Sequence, residues 1–402
     1  MRRRIAALQR SAILRQIWVH GPQSRASLAR RLKLRPSSVT SLTRELLDTG
    51  LLREVGEGRP NGGRPPLLLD VDRAGNYALA LTVESRGLTV ALVRWDAQVL
   101  HRVFEPIRPD ENLLPFLQAV TRTCERVLAE AGVGRERVRG VGVGISALVD
   151  PAANEAVFSS TLAAVQRLRL DFLAQSLGLP VYLEDIAYMM ALGERWFVYP
   201  GDHRALVMVY VGGGTCGAIL EPWARPHSPR FACEFGHMVV DPDGPPCGCG
   251  KRGCLEAYVS ERALLVQAEQ LFGRRNGVLP TLAAVAEWAK GGDPAARQFI
   301  AAAGEYLGVM LANLVNVLAP ALVVVGGSLL DTWGSLLWAE LERCLQEHAL
   351  PQLLRQVEVV PARLGEDAAL IGCAARVMQA VWESPEAAPE RGVLGRAAAA
   401  QA

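Results

Sequence analysis

The run between Glu234 and Glu256 constrains the fold more than any other part of the chain. Within eighteen positions it holds one histidine and three cysteines, namely His237, Cys247, Cys249 and Cys254. An imidazole and three thiolates that close around one point are the ligand set of a structural Zn²⁺. The Gly and Pro residues between them allow the backbone to turn tightly enough for the four side chains to meet. We therefore predict one structural zinc ion per chain.

The other cysteines lie in apolar runs and are typical of buried free thiols; they are Cys124, Cys216, Cys233, Cys344 and Cys373. The three cysteines of the cluster could likewise be buried free thiols beside an unrelated histidine. The cluster has almost no apolar neighbours, however, and this favours the metal site. Reduced, clustered cysteines and a start without a secretion-signal pattern predict a cytoplasmic protein. No apolar run reaches the ~20 residues of a membrane span, so we expect no membrane association.

The charge of the chain is distributed unevenly. Residues 1–66 contain 14 Lys and Arg against 4 Asp and Glu, a net charge of +10. The remaining 29 basic and 37 acidic residues give −8. A basic front end on an acidic body suggests a nucleic-acid-binding module, although a solvated arginine-rich face would have the same composition.

Residues 11–48 carry the pattern of a helix-turn-helix. A helix over 11–24 is followed by a second helix capped by Ser24, and Pro36 stands at the first position of a third. In the third helix the apolar spacing turns Val39, Leu42 and Leu46 inward. The outer side is left with the candidate DNA-reading residues Ser37, Ser38, Thr40, Ser41 and Arg44. An ordinary three-helix bundle is the alternative.

The next residues predict a β-wing. A strand over 50–55, a Gly- and Pro-rich tip and a returning strand over 66–70 follow the third helix. Arg59 and Arg64 at the tip are candidates for contact with DNA phosphates or the minor groove. Beyond Asp70, strands alternate with helices in two lobes of similar pattern, which predicts an α/β body with a cleft between the lobes.

The motif Glu-x-Gly-His, with Cys-x-Cys-Gly-x-x-Gly-Cys-Leu-Glu after it, resembles the signature of the ROK family (repressors, open reading frames and sugar kinases). Residues 24–69 resemble the winged helix of ROK repressors. The resemblance implies a two-lobed actin-like (ribonuclease-H-like) sugar-kinase fold with a zinc loop formed by the histidine and the three cysteines. It also implies contacts of Glu234, His237 and Glu256 with the hydroxyl groups of a sugar effector.

These patterns predict four segments along the chain. They are a winged helix-turn-helix over 1–72, a first lobe over 73–198, a second lobe with the zinc loop and oligomerisation helices over 199–383, and a disordered tail over 384–402. Helices over 297–318, rich in Ala, Leu and Val, are candidates either for the oligomer contact or for the internal core.

Two departures from the family pattern argue against kinase activity. ROK kinases carry Asp-x-Gly-Gly-Thr in the first hairpin, where this chain has Thr-Val-Glu-Ser-Arg over 82–86. Its bulky side chains would block the approach of a phosphate, and Glu84 would repel it. Ile186 stands where the family has its catalytic aspartate and cannot accept a proton. Asp185, one residue earlier, is expected to point in another direction.

The sugar pocket departs from the pattern as well. Tyr188 replaces an asparagine, and the glycines over 212–217 are spaced differently from those of the kinases. Gly326 and Gly327 resemble the turn that contacts adenosine in the family. Alternatively, they only form the connection between a strand and a helix. A hexose, a modified sugar and a protein partner all remain open as effectors.

The leading hypothesis is a zinc-containing ROK repressor that binds a palindromic double-stranded DNA operator as a homodimer or homotetramer. Its body would control the spacing of the two DNA-binding domains. The alternatives are a hexose kinase with an appended winged helix and a protein-interaction scaffold.

Overall fold

The computed structural model describes residues 2–383, except for 60–64, 108, 110–112, 160, 161, 163, 164, 221–230, 275 and 276. These residues form an N-terminal winged helix and an α/β body of two lobes. The predicted tail over 384–402 and the wing-tip residue Arg64 lie outside the described residues.

The winged helix contains three helices and a small sheet. Its elements are α1 (Arg2–His20), β1 (Gln23–Ser24), α2 (Arg25–Leu32), α3 (Pro36–Asp48), β2 (Leu52–Glu57) and β3 (Leu67–Val71). The Ser24 hydroxyl accepts a hydrogen bond from the Ser27 N–H at 3.2 Å, which confirms the predicted cap. Val39, Leu42 and Leu46 are buried, as their spacing predicts.

Helix α1 begins nine residues earlier than the sequence predicts, at Arg2 rather than at residue 11. Its additional turns expose Ile5 and Leu8 instead of burying them. Apolar periodicity reports only the buried part of a helix, and none of residues 5–9 is fully buried.

The first lobe is built on a five-stranded sheet of order β11-β7-β4-β5-β6. Its elements are β4 (Tyr77–Glu84), β5 (Gly87–Arg94), β6 (Val99–Glu105), α4 (Leu113–Glu130), β7 (Val138–Ile145), β8 (Leu148–Asp150), β9 (Glu155–Phe158), β10 (Gln166–Arg169), α5 (Asp171–Leu177), β11 (Val181–Asp185) and α6 (Ile186–Gly193). Strands β4, β5 and β6 are antiparallel, whereas β7 and β11 join β4 in parallel. Strands β8, β9 and β10 form a separate small sheet that the sequence does not predict.

The second lobe repeats this order in its sheet, β14-β13-β12-β15-β16. Its elements are β12 (Leu206–Val211), β13 (Thr215–Leu220), β14 (Phe231–Cys233), α7 (Glu256–Val259), α8 (Glu261–Phe272), α9 (Leu282–Lys290), α10 (Pro294–Leu318), β15 (Leu322–Gly326), α11 (Ser328–Trp333), α12 (Ser335–His348), α13 (Pro351–Leu354) and β16 (Glu358–Pro361), and α14 (Ala368–Glu383) follows them. The two lobes therefore share one strand order, in agreement with the predicted body of two similar lobes.

Helix α14 packs in the first lobe. The predicted boundary at residue 199 would assign it to the second lobe. It packs on β4, β7 and α6. Glycines allow this approach, because a Cβ on Gly142 would lie 2.3 Å from the Cys373 carbonyl oxygen and one on Gly372 would lie 1.7 Å from the Met189 carbonyl oxygen. The chain therefore returns to its first sheet after completing the second lobe.

Helix α10 is long and apolar enough to cross a membrane by length and composition, and it is the one such helix among the described residues. In the fold it packs on α9 and α12, and more than half of its most apolar window is buried in the second lobe. A core helix that is apolar on most sides has this composition.

The winged helix is attached to the body through a cluster of aromatic rings. The Trp18 ring of α1 lies 5.9 Å from that of Trp196 and 5.8 Å from that of Trp382 in α14, centroid to centroid. Its Nε1 donates a hydrogen bond to the Trp196 carbonyl oxygen at 3.0 Å. The Arg73 guanidinium lies 4.0 Å from the Trp18 ring centroid. Residues from both ends of the described chain therefore meet at this junction.

Replacing Trp18 by alanine should lower the free energy of unfolding by about 3–5 kcal/mol, because a side chain only 5% exposed would leave a cavity among three aromatic rings. Trp18→Phe retains most of the packing and loses the hydrogen bond, which should cost about 1 kcal/mol. Urea denaturation measures both values. Equal losses in the two variants would show that the aromatic packing does not stabilise the junction.

Candidate functional site

The zinc-loop residues converge as their spacing predicts. One ligand atom from each of His237, Cys247, Cys249 and Cys254 lies within 4.8 Å of the other three. The Cys247 Sγ to His237 Nδ1 distance is 3.7 Å, and the Cys249 Sγ to Cys254 Sγ distance is 3.8 Å. Two sulfurs bound to one tetrahedral zinc at about 2.3 Å would be separated by about 3.8 Å. The four residues therefore fit a closed, four-coordinate zinc site.

Turns in the loop bring the cysteines together. The Gly250 N–H donates to the Cys247 carbonyl oxygen at 3.0 Å, and the Cys247 N–H donates to the Lys251 carbonyl oxygen at 2.8 Å. Gly253 has a φ of +68°, and a Cβ there would lie 1.5 Å from the Asp241 carbonyl oxygen. Position 253 therefore requires glycine, both for its backbone conformation and for space.

We expect Cys249→Ser to lose its metal, because a hydroxyl is a poor replacement for a thiolate in a four-ligand zinc set. Elemental analysis of freshly purified protein should find close to one zinc per chain in the parent and far less in the variant. Cys344→Ser is the matched control, since Cys344 is buried in α12 outside the cluster. A variant at position 249 with full zinc content would contradict the assignment.

A cleft between the lobes lies directly beside the metal cluster. About 560 Å³ of empty space, partly open to solvent, is lined by Ser146, Ala147, Leu148, Phe158, Ser159, Asp185, Tyr210, Gly214, Thr215, Cys216, Glu234, His237 and Glu256. Small-molecule sites are usually concave surfaces of this kind, with a few convergent polar groups. All three residues expected to contact an effector, Glu234, His237 and Glu256, thus lie on one cavity.

Hydrogen bonding and charge organise the carboxylates of this cavity. A Glu256 carboxylate oxygen accepts from the Thr215 N–H at 3.1 Å, and His237 Nε2 lies 3.8 Å from the Glu234 carboxylate. Burial raises the pKa of Glu234; His237 opposes this shift and Glu256 adds to it. In the part of the chain that the structure describes, thirteen residues line the cavity, and none of them is lysine or arginine. The site therefore offers hydrogen-bond acceptors and disfavours anionic ligands.

Asp185, which the sequence predicts to point in another direction than a catalytic base, lies on the cavity wall. Asp185 ends β11 and caps α6, where one carboxylate oxygen accepts from the N–H groups of Ala187 at 2.8 Å and Tyr188 at 3.2 Å. This strand-to-helix junction is part of the cavity wall, so the side chain lines the cavity. Ile186 packs instead into the apolar core with α14. Tyr188 is also buried there and is not among the lining residues.

Burial, followed by the Glu234 and Glu184 carboxylates, raises the pKa of Asp185 to about 8. Between about pH 4 and pH 8 the folded chain therefore holds a proton that the unfolded chain has released, and stability falls as pH rises through this range. Asp185→Asn keeps a helix cap and removes this titration. Its unfolding free energy should fall less between about pH 6 and pH 8 than that of the parent. Parallel denaturation series measure the difference, and identical slopes would contradict the shift.

The β4–β5 turn, where the resemblance predicts the kinase phosphate loop, contacts the second lobe. The Tyr210 hydroxyl donates to the Glu84 carboxylate at 3.1 Å, and burial raises the pKa of Glu84. A Cβ on Gly213 would lie 2.8 Å from the Ser85 hydroxyl oxygen, so the β4–β5 turn fills this space. Gly327 has a φ of +114° and a Cβ there would lie 2.4 Å from the Val211 carbonyl oxygen. Close packing thus accounts for Gly327 without a nucleotide.

The expected DNA-reading residues lie mostly on one exposed face of α3. Ser37, Thr40, Ser41 and Arg44 are exposed, Ser38 is half-buried, and Arg59 is exposed at the base of the wing tip. The Thr40 hydroxyl donates within the helix to the Pro36 carbonyl oxygen at 2.9 Å. Sequence reasoning missed the exposed basic residues before α3, namely Arg30, Arg31, Lys33 and Arg35. Their charge run was the available signal, and it is typical of phosphate contact.

Comparison with known proteins agrees with this architecture. Residues 82–380 match the model of the ROK family. The chain belongs to the ROK family. Residues 8–54, which include the helix-turn-helix, match the model of the MarR family.

Full-length relatives of this ROK chain are named as regulators. It is 26% identical over 375 residues to the xylose repressor of Caldicellulosiruptor bescii, covering 90% of this chain and 93% of that one. It is 25% identical over 384 residues to the DNA-binding transcriptional dual regulator NagC of Escherichia coli K12, covering 94% of each.

Solved structures match both the whole chain and its body alone. A ROK family transcriptional regulator, described as a homologue of the E. coli MLC protein, has a TM-score of 0.79 at 25% identity and covers 94% of this chain and 97% of its own. A ROK glucokinase from Streptomyces griseus has a TM-score of 0.65 at 26% identity and covers 76% of this chain and 100% of its own.

Proposed function

We propose that this ROK protein is a DNA-binding transcriptional repressor without kinase activity. The observation that carries the proposal is a winged helix with an exposed recognition helix, docked on a ROK body. In that body Glu84 stands where the kinases have their phosphate loop, and it accepts a hydrogen bond from Tyr210. Relatives that match over nine tenths of the chain or more, including the winged helix, are named as repressors or regulators. The glucokinase match covers 76% of this chain.

The proposed target is a palindromic double-stranded operator bound by a homodimer or homotetramer in the cytoplasm. Helix α3 would enter the major groove with Ser37, Ser38, Ser41 and Arg44 towards the bases, while Thr40, Arg59 and Arg64 would contact the backbone or the minor groove. The basic residues before α3 would add phosphate contacts. One structural zinc per chain would fix the loop that carries His237.

The proposed effector is a neutral sugar or sugar derivative held by Glu234, His237 and Glu256. Carboxylate oxygens accept hydrogen bonds from hydroxyl groups. The cavity wall has three carboxylates and, among the described residues, neither lysine nor arginine, so it would repel a sugar phosphate. Xylose and N-acetylglucosamine appear in the names of relatives and are therefore the first probes. Thermal-shift measurements with these sugars, and with their phosphates as the negative set, test the assignment.

A sugar kinase is the second candidate, and the orientation of Asp185 favours it. This side chain lines the cavity and would be available to accept the proton of an attacking hydroxyl. The blocked phosphate position and the apolar Ile186 count against it. Coupled ADP release over a panel of hexoses distinguishes the two functions, and hexose-dependent turnover of ATP would overturn the repressor without kinase activity.

Selection from random double-stranded DNA at about 0.15 M salt should yield a palindromic site. Arg44→Ala should weaken binding to that site about ten- to hundredfold, because a base-contacting arginine is worth about 1–3 kcal/mol. Fluorescence anisotropy measures the affinities. Arg126→Ala, which removes the same charge from an exposed position in the first lobe, should leave them unchanged. Selection without any enriched site would refute the proposed function.

A further inference from the structure

A buried arginine of the body donates a hydrogen bond to the C-terminal end of the recognition helix. Arg139 in β7 is 1% exposed, and its Nη2 donates to the carbonyl oxygen of Thr49, the residue that caps α3, at 2.7 Å. Its Nε donates to the Asn76 side-chain oxygen at 2.5 Å. A guanidinium at a helix C-terminus satisfies free carbonyl groups and interacts favourably with the helix dipole.

Asn76 extends the same contact to the next residue of the winged helix. It is fully buried, and its Nδ2 donates to the Gly50 carbonyl oxygen at 2.9 Å and to the Asp72 carbonyl oxygen at 2.7 Å. Arg139 and Asn76 together form what we call the α3 clamp. Burying a guanidinium is costly unless its hydrogen bonds are made, so the clamp fixes one geometry rather than tolerating several.

The strand that carries the clamp also reaches the cleft. Arg139 is the second residue of β7, which lies between β4 and β11 in the sheet of the first lobe. Ser146 and Ala147, immediately after the other end of β7, line the cavity. Eight residues of strand span about 26 Å. One buried strand therefore joins the cavity wall to the C-terminus of the recognition helix.

We propose that Arg139 is a positioning residue for DNA recognition, which sets the angle of α3 on the first lobe and thereby the separation of the two recognition helices in a pair. The inference rests on the proposed function as a paired DNA-binding regulator. The α3 clamp ties each recognition helix to a body rather than leaving it on a free linker. Binding then depends on the spacing of the operator half-sites.

The test compares the selected operator with versions in which the half-sites are moved by two and by five base pairs. The parent should bind its own spacing at least about tenfold more tightly than either shifted version. Arg139→Met keeps an unbranched side chain without the donors, and the ratio should fall towards one. Arg139→Lys, which retains a cation and one donor to the Thr49 carbonyl oxygen, should give an intermediate ratio. Loss of stability alone would lower all affinities together and leave the ratio unchanged.

Val143→Ala is the matched control, because Val143 is buried in the same strand and is not part of the α3 clamp. It should lower the melting temperature and keep the spacing ratio of the parent. If Arg139→Met fails to fold, Asn76→Ser breaks the other half of the clamp and should lower the ratio. A parent ratio retained in the clamp variants, or lost equally in Val143→Ala, would overturn the inference. Failure of the parent to select DNA would instead refute the proposed function.

Discussion

The two ring nitrogens of His237 connect the metal cluster to the cleft. Nδ1 lies 3.7 Å from the Cys247 sulfur, while Nε2 faces the Glu234 carboxylate across 3.8 Å. An imidazole held by a metal on one side has a fixed tautomer and orientation on the other. The position of Glu234, and through it the shape of the cavity, therefore depends on a loop that has little apolar core of its own. A metal ion held by the four ligands would take the place of apolar packing in this part of the second lobe.

The rest of the architecture depends on contacts between distant parts of the chain. Helix α14 returns to the first sheet, and its Trp382 meets Trp18 of the winged helix and Trp196 of the segment after α6. Helix α6 begins at Asp185 in the cavity wall. A continuous, buried set of elements therefore joins the cavity to the DNA-binding domain along two routes, one through α6 and α14 and one through β7.

Local features of this structure could be predicted from sequence because local physics determines them. A serine before a helix, a proline at a first turn and apolar residues three and four positions apart gave Ser24, Pro36 and the buried face of α3 correctly. The metal cluster followed from ligand chemistry and short spacing. The family followed from a long motif, which the match over 82–380 confirms.

Features set by long-range packing could not be predicted in the same way. Asp185 faces the cavity because its side chain caps α6, which depends on where the helix begins rather than on alignment to a motif. The α3 clamp joins residues far apart in the sequence, and an isolated arginine in an apolar strand gives no signal of its partner. The junction around Trp18 was invisible for the same reason.

The position of α14 also determines when, during synthesis, the winged helix can reach its native orientation on the body. The N-terminal segment leaves the ribosome first and can fold as a unit, but the aromatic ring that completes its docking site arrives with the last helix. Until translation is nearly finished, the winged helix lacks part of the surface against which it packs in the complete protein. A nascent or truncated polypeptide would thus carry a DNA-binding domain without its native orientation, so premature occupancy of a promoter by incomplete chains is disfavoured by the order of synthesis itself.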